Sequence, residues 1–296
     1  MIQISAIVCT YNGEKHLFKT LQSLAEQSLE ADSYEVVIVD NNSTDSVAAI
    51  SQGFIKYNSH LNIQYCLETQ AGLSFARNCG IEASKGDYVV FIDDDATANK
   101  DFLAQHLQIY KEKKDAVAAG GKVLGTYPTG MAPNWLSPYI EGVFSLIDRG
   151  EKVHLFEKKF PVGCNMSFKK SALQQMGSFN TNVKYRSDEK FVFLQLKKSK
   201  KAIYYLPQAI AYHNIDETRM SKASVIKVSQ LVGAGERERL YPDWLALTIK
   251  LIEYLFKLGA SWAIGLGYLL KGQASKAAYI VLVRWYVLQG FFFYRN

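Results

Sequence analysis

The chain has 296 residues, 48% of them hydrophobic and 21% charged, with a net charge of +6. That balance excludes a disordered polypeptide and leaves room for one large domain or two. The basic residues are spread out, and the densest block, Lys197-Lys198-Ser199-Lys200-Lys201, has no interleaved aromatics, so no nucleic-acid partner is expected.

The excess charge suits an anionic membrane surface or a phosphate-bearing substrate. Cys9, Cys66, Cys79 and Cys164 show neither a CxxC pair nor metal-like spacing, which predicts reduced thiols in a cytoplasmic compartment. Met1-Ile2-Gln3 leads directly into a strand with no basic stretch before it, so no signal peptide is expected.

The first 125 residues alternate strand and helix patterns. Ile4–Cys9 reads as a strand, Lys15–Leu29 as a helix carrying Leu17, Leu21, Leu24 and Ala25 on one face, and Val36–Val39 as a buried strand ending at Asp40. A short helix is expected within Ser46–Lys56, a strand at Ile63–Leu67, a helix at Leu73–Ala83 and a strand at Tyr88–Ile92. A helix over Phe102–Lys113 and a strand over Ala116–Val123 follow. This alternation implies an α/β fold with a mostly parallel sheet and helices on both faces. Ligands in such sheets bind beyond the carboxyl ends of the strands. Thr10-Tyr11-Asn12, Asp40-Asn41-Asn42 and Asp93-Asp94-Asp95 all fall on that rim. Three carboxylates at the end of a buried strand repel one another, and a hard divalent cation such as Mg²⁺ or Mn²⁺ would relieve them while gripping a diphosphate.

Gly125–Pro161 is broken by Pro128, Gly130, Pro133, Pro138, Gly142 and Gly150, which predicts a long functional loop or lid. Val162–Phe168 reads as strand-like, Ser171–Met176 and Asp188–Lys198 as helices, and Tyr204–Tyr212 as an extended segment broken by Pro207. The organisation expected is a catalytic domain over residues 1–220 and a helical region over 221–296. The longest uncharged run of that tail, Leu258–Leu270, has 13 residues, short of the roughly 18–20 that span a bilayer. Lys250, Lys257, Lys271, Lys276 and Arg284 recur among tryptophans and tyrosines there. That pattern suits an interfacial location at the membrane surface, with packing on the core or homo-oligomerisation as the rival.

Several motifs stand in an order that resembles family 2 glycosyltransferases with the GT-A fold. Ala6–Asn12 is similar to their first strand, Val39–Asp45 to their VDDGSTD element, Gly72–Asn78 to their G-x-x-x-A-R-N helix, and Gly86–Asp95 to the strand carrying D-x-D. Gly163–Met166, Asp188-Glu189 and Tyr212-His213 continue the match, which covers about residues 2–215. The resemblance implies an inverting, metal-dependent transfer of a sugar from a nucleotide-diphosphate donor, a UDP-sugar first, to a hydroxyl acceptor. A saccharide or lipid-linked saccharide acceptor would place the enzyme at the cytoplasmic face of the membrane, in cell-surface polysaccharide or glycolipid synthesis.

By the same resemblance Asp40, Thr10 and Tyr11 cradle the nucleotide, with Asn12 and Asn42 beside them. Arg77 faces the diphosphate, Asp93 lies near the ribose, Asp94 positions the donor sugar, and Asp95 holds the cation with His213. Asn165 touches the donor sugar. Trp135 lines the acceptor site or packs in the core. The family presents Glu-Asp at the start of a helix, whereas this chain has Asp188-Glu189. One register gives the base to Glu189, and a shift by one residue gives it to Asp188. A catalytically silent nucleotide-sugar-binding scaffold is the competing reading. A processive synthase is disfavoured because Val281 stands where its Q-x-x-R-W motif needs glutamine.

Overall fold

The computed structural model describes residues 1–157, 159–183 and 188–293. They fall into two compact units. The first takes Met1–Leu124, Leu146–Thr181 and Asp188–Asn214. The second takes Gly125–Ser145, a short stretch from Asn182, and the chain from Ile215 onward. A cut at residue 220 differs from this division mainly in leaving Gly125–Ser145 out of the helical unit.

The first unit is built from β1 (Ile4–Thr10), α1 (Leu17–Ala25), β2 (Tyr34–Asp40), α2 (Val47–Tyr57), β3 (Ile63–Leu67), α3 (Leu73–Ala83), β4 (Tyr88–Asp93) and β5 (Ala96–Ala98). It continues with α4 (Phe102–Glu112), β6 (Ala116–Thr126), β7 (His154–Leu155), β8 (Met166–Lys169), α5 (Lys170–Gln175), α6 (Asp188–Lys198) and β9 (Ala202–Asn214). The sheet runs in the order β3-β2-β1-β4-β8-β6-β9-β5, with β7 paired to β9. β3, β2, β1 and β4 are mutually parallel, while β8 is antiparallel to both β4 and β6. Every residue of β2 and nearly every residue of β1 is buried, as their largely apolar composition requires of strands covered on both faces. α1 supplies Leu17, Leu21 and Leu24 to the same core.

The chain order reverses at β1, with β2 on one side and β4 on the other. In register, Thr10 stands opposite Asp40 and Cys9 opposite Asp93. The three polar strand ends therefore meet on one rim, at the crevice where a doubly wound sheet binds its ligand.

Two expectations are corrected here. Val162–Asn165 is a turn, closed by the Asn165 N–H on the Val162 carbonyl at 2.9 Å, and the strand begins at Met166. β9 continues through Pro207, which lies between the residues paired with β7 and those paired with β5. A proline is tolerated in a strand where its missing N–H leaves no ladder bond broken.

The second unit contains α7 (Glu217–Met220), α8 (Lys222–Leu240), α9 (Trp244–Leu270) and α10 (Ala274–Phe293). Ser221 and Asp243 cap α8 and α9 by accepting from the N–H groups of Ser224 and Ala246, satisfying donors a helix start leaves orphaned. α8 and α10 cross at Gly233 and Gly290: a Cβ on either would lie 2.0 or 2.1 Å from the other helix's carbonyl oxygens. The Trp135 ring stacks on Tyr279 of α10, with centroids 4.3 Å apart, and Arg284 donates to the Tyr139 carbonyl at 2.7 Å. Trp135 thus takes the packing role. Among the described residues, no helix is long and apolar enough to cross a membrane.

Candidate active site

The end of β1 is locked to its neighbours by hydroxyls and turns. Thr10 Oγ1 donates to Asp94 Oδ2 at 2.5 Å, and Thr20 Oγ1 donates to the Asp94 carbonyl at 2.7 Å. Gly13 permits this approach: a Cβ there would lie 2.1 Å from Asp94 Oδ2 and 2.4 Å from Thr10 Oγ1. Asn12 and Asn42 both have positive φ, 53° and 61°, a region that asparagine enters more readily than other side-chain-bearing residues. The Asn12 side-chain oxygen accepts from the Thr44 N–H at 2.9 Å. These two asparagines shape the β1 and β2 turns that bring Thr10 and Asp40 to the rim.

Asp40 is buried and accepts from the Ser43 N–H and the Tyr65 hydroxyl, both at 2.8 Å. Burial, the hydrogen bond to Asp40 and its charge push the Tyr65 hydroxyl up to about 12. Asn41, missed as a shaping residue, donates to the carbonyls of Glu68 and Gln70 and accepts from the Gly72 N–H. It fixes the loop that leads into α3. Between that loop and β1 lies a pocket of about 390 Å³, lined by Cys9, Thr10, Tyr11, Asn41, Gly72 and Leu73 among others. Tyr11 stands at its mouth, 63% exposed.

Asp93, Asp95 and His213 each offer one ligand atom, and the three atoms lie within 4.8 Å of one another. Strand pairing explains the meeting. β5 sets Ala96 opposite His213, one residue from Asp95, and the Asn214 N–H donates to the Asp95 carbonyl. His213 Nε2 is 3.2 Å from Asp95 Oδ1. Two carboxylates and an imidazole form an oxygen-rich set with one nitrogen, which fits Mn²⁺ or Mg²⁺. Asp93, expected at the ribose, is thus placed beside Asp95.

Arg77 requires a correction. It is 3% exposed, with its guanidinium 5.2 Å from the ring of Phe179 and 5.9 Å from that of Phe91. Its Nη1 lies 2.6 Å from Asp188 Oδ1 and 3.7 Å from Glu189 Oε2. A buried guanidinium stays charged and must be spent on a carboxylate, so Arg77 grips Asp188 from below and does not present itself to a diphosphate on the rim. Ser74, one turn earlier on α3, donates to Asp188 Oδ2 at 3.1 Å.

This grip separates the two acids that open α6. Burial works against an ionised Asp188, but the Arg77 charge together with hydrogen bonds from Glu189, Arg77 and Ser74 outweighs it and holds the carboxyl below its ordinary value. Glu189 is pushed up to about 7 by burial and by the adjacent Asp188 charge. The two side chains also share a hydrogen bond. The Glu189 side chain is 21% exposed and that of Asp188 7%. Glu189 is therefore the more accessible acid and the one poised to exchange a proton near neutrality.

Asn165 is a second correction. It is fully buried, with Nδ2 donating to the Lys122 and Ala209 carbonyls and Oδ1 accepting from the Gly121 N–H. Its Oδ1 also lies 2.9 Å from His106 Nε2, which fixes the Nε2–H tautomer of that ring. His106 Nδ1 then accepts from Ser167. Burial pushes this imidazole down to about 4 and keeps it neutral. Asn165 ties α4, β6 and β9 together and has no polar atom left for a sugar.

The fold and the rim are those of a GT-A glycosyltransferase. The chain matches glycosyl transferase family 2 over residues 5–177. It belongs to that family and is a glycosyltransferase. It is 27% identical over 253 residues to the glucosyl-dolichyl phosphate glucuronosyltransferase of Haloferax volcanii, covering 82% of this chain and 79% of that protein. It is 39% identical over 105 residues to the poly(ribitol-phosphate) β-N-acetylglucosaminyltransferase TarS of Staphylococcus aureus, covering 35% of this chain but only 18% of TarS. Among solved structures, a mannosyltransferase from Pyrobaculum calidifontis in complex with GDP-Man and Mn²⁺ superposes with a TM-score of 0.64 at 18% identity, over 97% of this chain and 87% of that one. S. aureus TarS 1–349 with UDP gives 0.56 at 20% identity, over 98% and 89%. At these identities the likeness is one of fold.

Proposed function

We propose that the chain transfers a sugar, with inversion, from a nucleotide-diphosphate donor to an acceptor hydroxyl in the synthesis of a cell-surface polysaccharide or glycolipid. The observation that carries this reading is the separation of two carboxylate groups: Asp93 and Asp95 with His213 on the rim, and Glu189 above the Arg77–Asp188 pair. The pocket beside Thr10, Tyr11 and Asn41 takes the base and Asp40 fixes its turn. UDP is the nucleotide to try first and GDP the second, since one fold neighbour is complexed with UDP and another with GDP-Man. Asp93, Asp95 and His213 would hold a divalent cation, which when bound neutralises charge on the donor diphosphate.

Glu189 in its carboxylate form accepts the proton of the acceptor hydroxyl. The oxygen so freed bonds to the anomeric carbon while the bond from that carbon to the phosphate oxygen breaks. The nucleoside diphosphate leaves with the bonding electron pair. Direct attack inverts the anomeric centre, and Asp188, held by Arg77 and Ser74, keeps Glu189 in place. The acceptor is a saccharide or lipid-linked saccharide presented at the cytoplasmic face of a membrane, in keeping with the dolichyl phosphate substrate in the name of the haloarchaeal relative.

The test is a screen of nucleotide sugars with Mn²⁺ or Mg²⁺, with release of the nucleoside diphosphate as the readout. Turnover of at least one donor, lost in Asp95→Ala and Glu189→Gln variants that still fold, supports the reading. Full turnover in either variant overturns it.

A further inference from the structure

α9 is apolar apart from one short charged strip. Over its 27 residues the charged side chains are Lys250, Glu253 and Lys257, and Glu253 is engaged by both lysines. One side of the helix buries Leu247, Tyr254, Ser261 and Gly265, seven and then four residues apart, with Tyr254 edge-on against Phe291 of α10. The other side carries Leu245, Ile249, Ile252 and Phe256 at four-and-three spacing and, ten residues further on, Leu266 and Leu270, each more than half exposed. At 1.5 Å per residue this stripe is about 40 Å long. A helix apolar on two opposite sides ordinarily buries both, so a second occupant is needed. An exposed apolar stripe of this extent marks an interaction surface.

We infer that this stripe lies flat on an anionic lipid surface. Charge selects lipid over a second copy of the chain. From Trp244 to Phe293 the sequence carries five basic residues against the single acid Glu253; Lys250 and Lys257 both pair with Glu253 and Lys250 also lies 3.6 Å from Glu236, which leaves the surplus on Lys271, Lys276 and Arg284. Two such faces brought together would oppose like charges, whereas anionic headgroups complement them. Trp244 and Trp262 are 70% and 66% exposed along the same helix, and amphipathic rings of this kind settle at headgroup depth. Among the described residues no helix is long and apolar enough to span, and the exposed apolar side chains run lengthwise along one side of α9, which suits an in-plane contact. This deepens the membrane part of the reading above by naming the surface, and it rests on that reading only for the biological setting.

The experiment is co-sedimentation of the full chain with vesicles of phosphatidylcholine alone or mixed with phosphatidylglycerol. It is paired with sedimentation velocity in the absence of lipid. The expected result is binding to the anionic vesicles, weakened roughly tenfold or more in Ile252→Glu/Phe256→Glu and in Lys257→Glu/Lys271→Glu. Both pairs are at the surface, and circular dichroism checks that they fold. Equal binding by the variants overturns the inference. So does a wild-type dimer that the apolar pair dissociates, with no vesicle binding, since the stripe would then be a self-interface. Neither donor nor turnover enters the measurement, so its failure leaves the sugar-transfer reading untouched.

Discussion

Replacing Arg77 with methionine removes the guanidinium and leaves its aliphatic volume between Phe91 and Phe179. The Asp188 carboxylate, 2.6 Å from Nη1 in the native chain, then stays buried without its cation, while Ser74 offers it one hydroxyl. Breaking one side of a buried pair costs about 3–5 kcal/mol. The reverse change, Asp188→Asn, leaves Arg77 with Glu189 at 3.7 Å and two aromatic faces, so its cost is about 2 kcal/mol. The double variant removes both charges and costs about 3 kcal/mol, which gives a coupling energy of about 3 kcal/mol. Urea unfolding followed by far-ultraviolet circular dichroism measures all three. Acid moderates the Arg77→Met loss, because Asp188 can then fold neutral. The native Asp188 carboxyl is held low, so its contribution is present above the ordinary carboxylate range and lost as pH falls through the folded value. A cost below about 1 kcal/mol for Arg77→Met, or additive single effects, would refute the assignment of Arg77 as the anchor of this pair.

Glu189, pushed up to about 7, gains its base form as pH rises through neutrality, so kcat/KM should climb across that interval and Glu189→Gln should abolish the climb along with turnover. The same shift makes a stability contribution that is complete below 4.5 and lost as pH rises to about 7; a Glu189→Gln melting series should lack that loss. His106 acts in the opposite sense: its imidazole is pushed down from 6.5 to about 4, so stability is lost as pH falls across that window, and His106→Gln should flatten the acid side of the curve. The two slopes oppose each other in the native chain, and each is read in its own variant. Gly13→Ala drives a methyl into Asp94 and Thr10 and should cost about 1–3 kcal/mol, with weakened nucleotide binding by calorimetry.

The apolar runs of β1, β2 and β4 made the parallel half of the sheet legible, because a strand covered on both faces shows its burial in composition alone. β5 and β7, at three and two residues, are too short to carry a pattern, yet β5 is what brings His213 to Asp95. Motif order points to Asp95 and His213 together and reads Asp93 toward the ribose, whereas the fold sets Asp93 beside them. The task of Arg77 was not legible, because its partner lies 111 residues away and nothing in helical spacing reports a long-range ion pair. Asn165 misled for a related reason. A polar residue in a glycine-rich segment looks available, and only the packing of α4, β6 and β9 around it reveals that its amide is fully spent. The order of the acids at α6 left two registers open in the sequence, and the unequal burial of the two carboxyls and the Arg77 contact are what support proposing Glu189 as the base.

The central claim is direct transfer by a Glu189-activated hydroxyl, and the anomeric configuration of the product tests it most directly. With an α-linked nucleotide sugar, Mn²⁺ and a hydroxyl acceptor, proton NMR of the first product formed should show the β anomer, absent in the Glu189→Gln variant. An α-linked product, or a β product formed at the native rate by Glu189→Gln, would contradict the account.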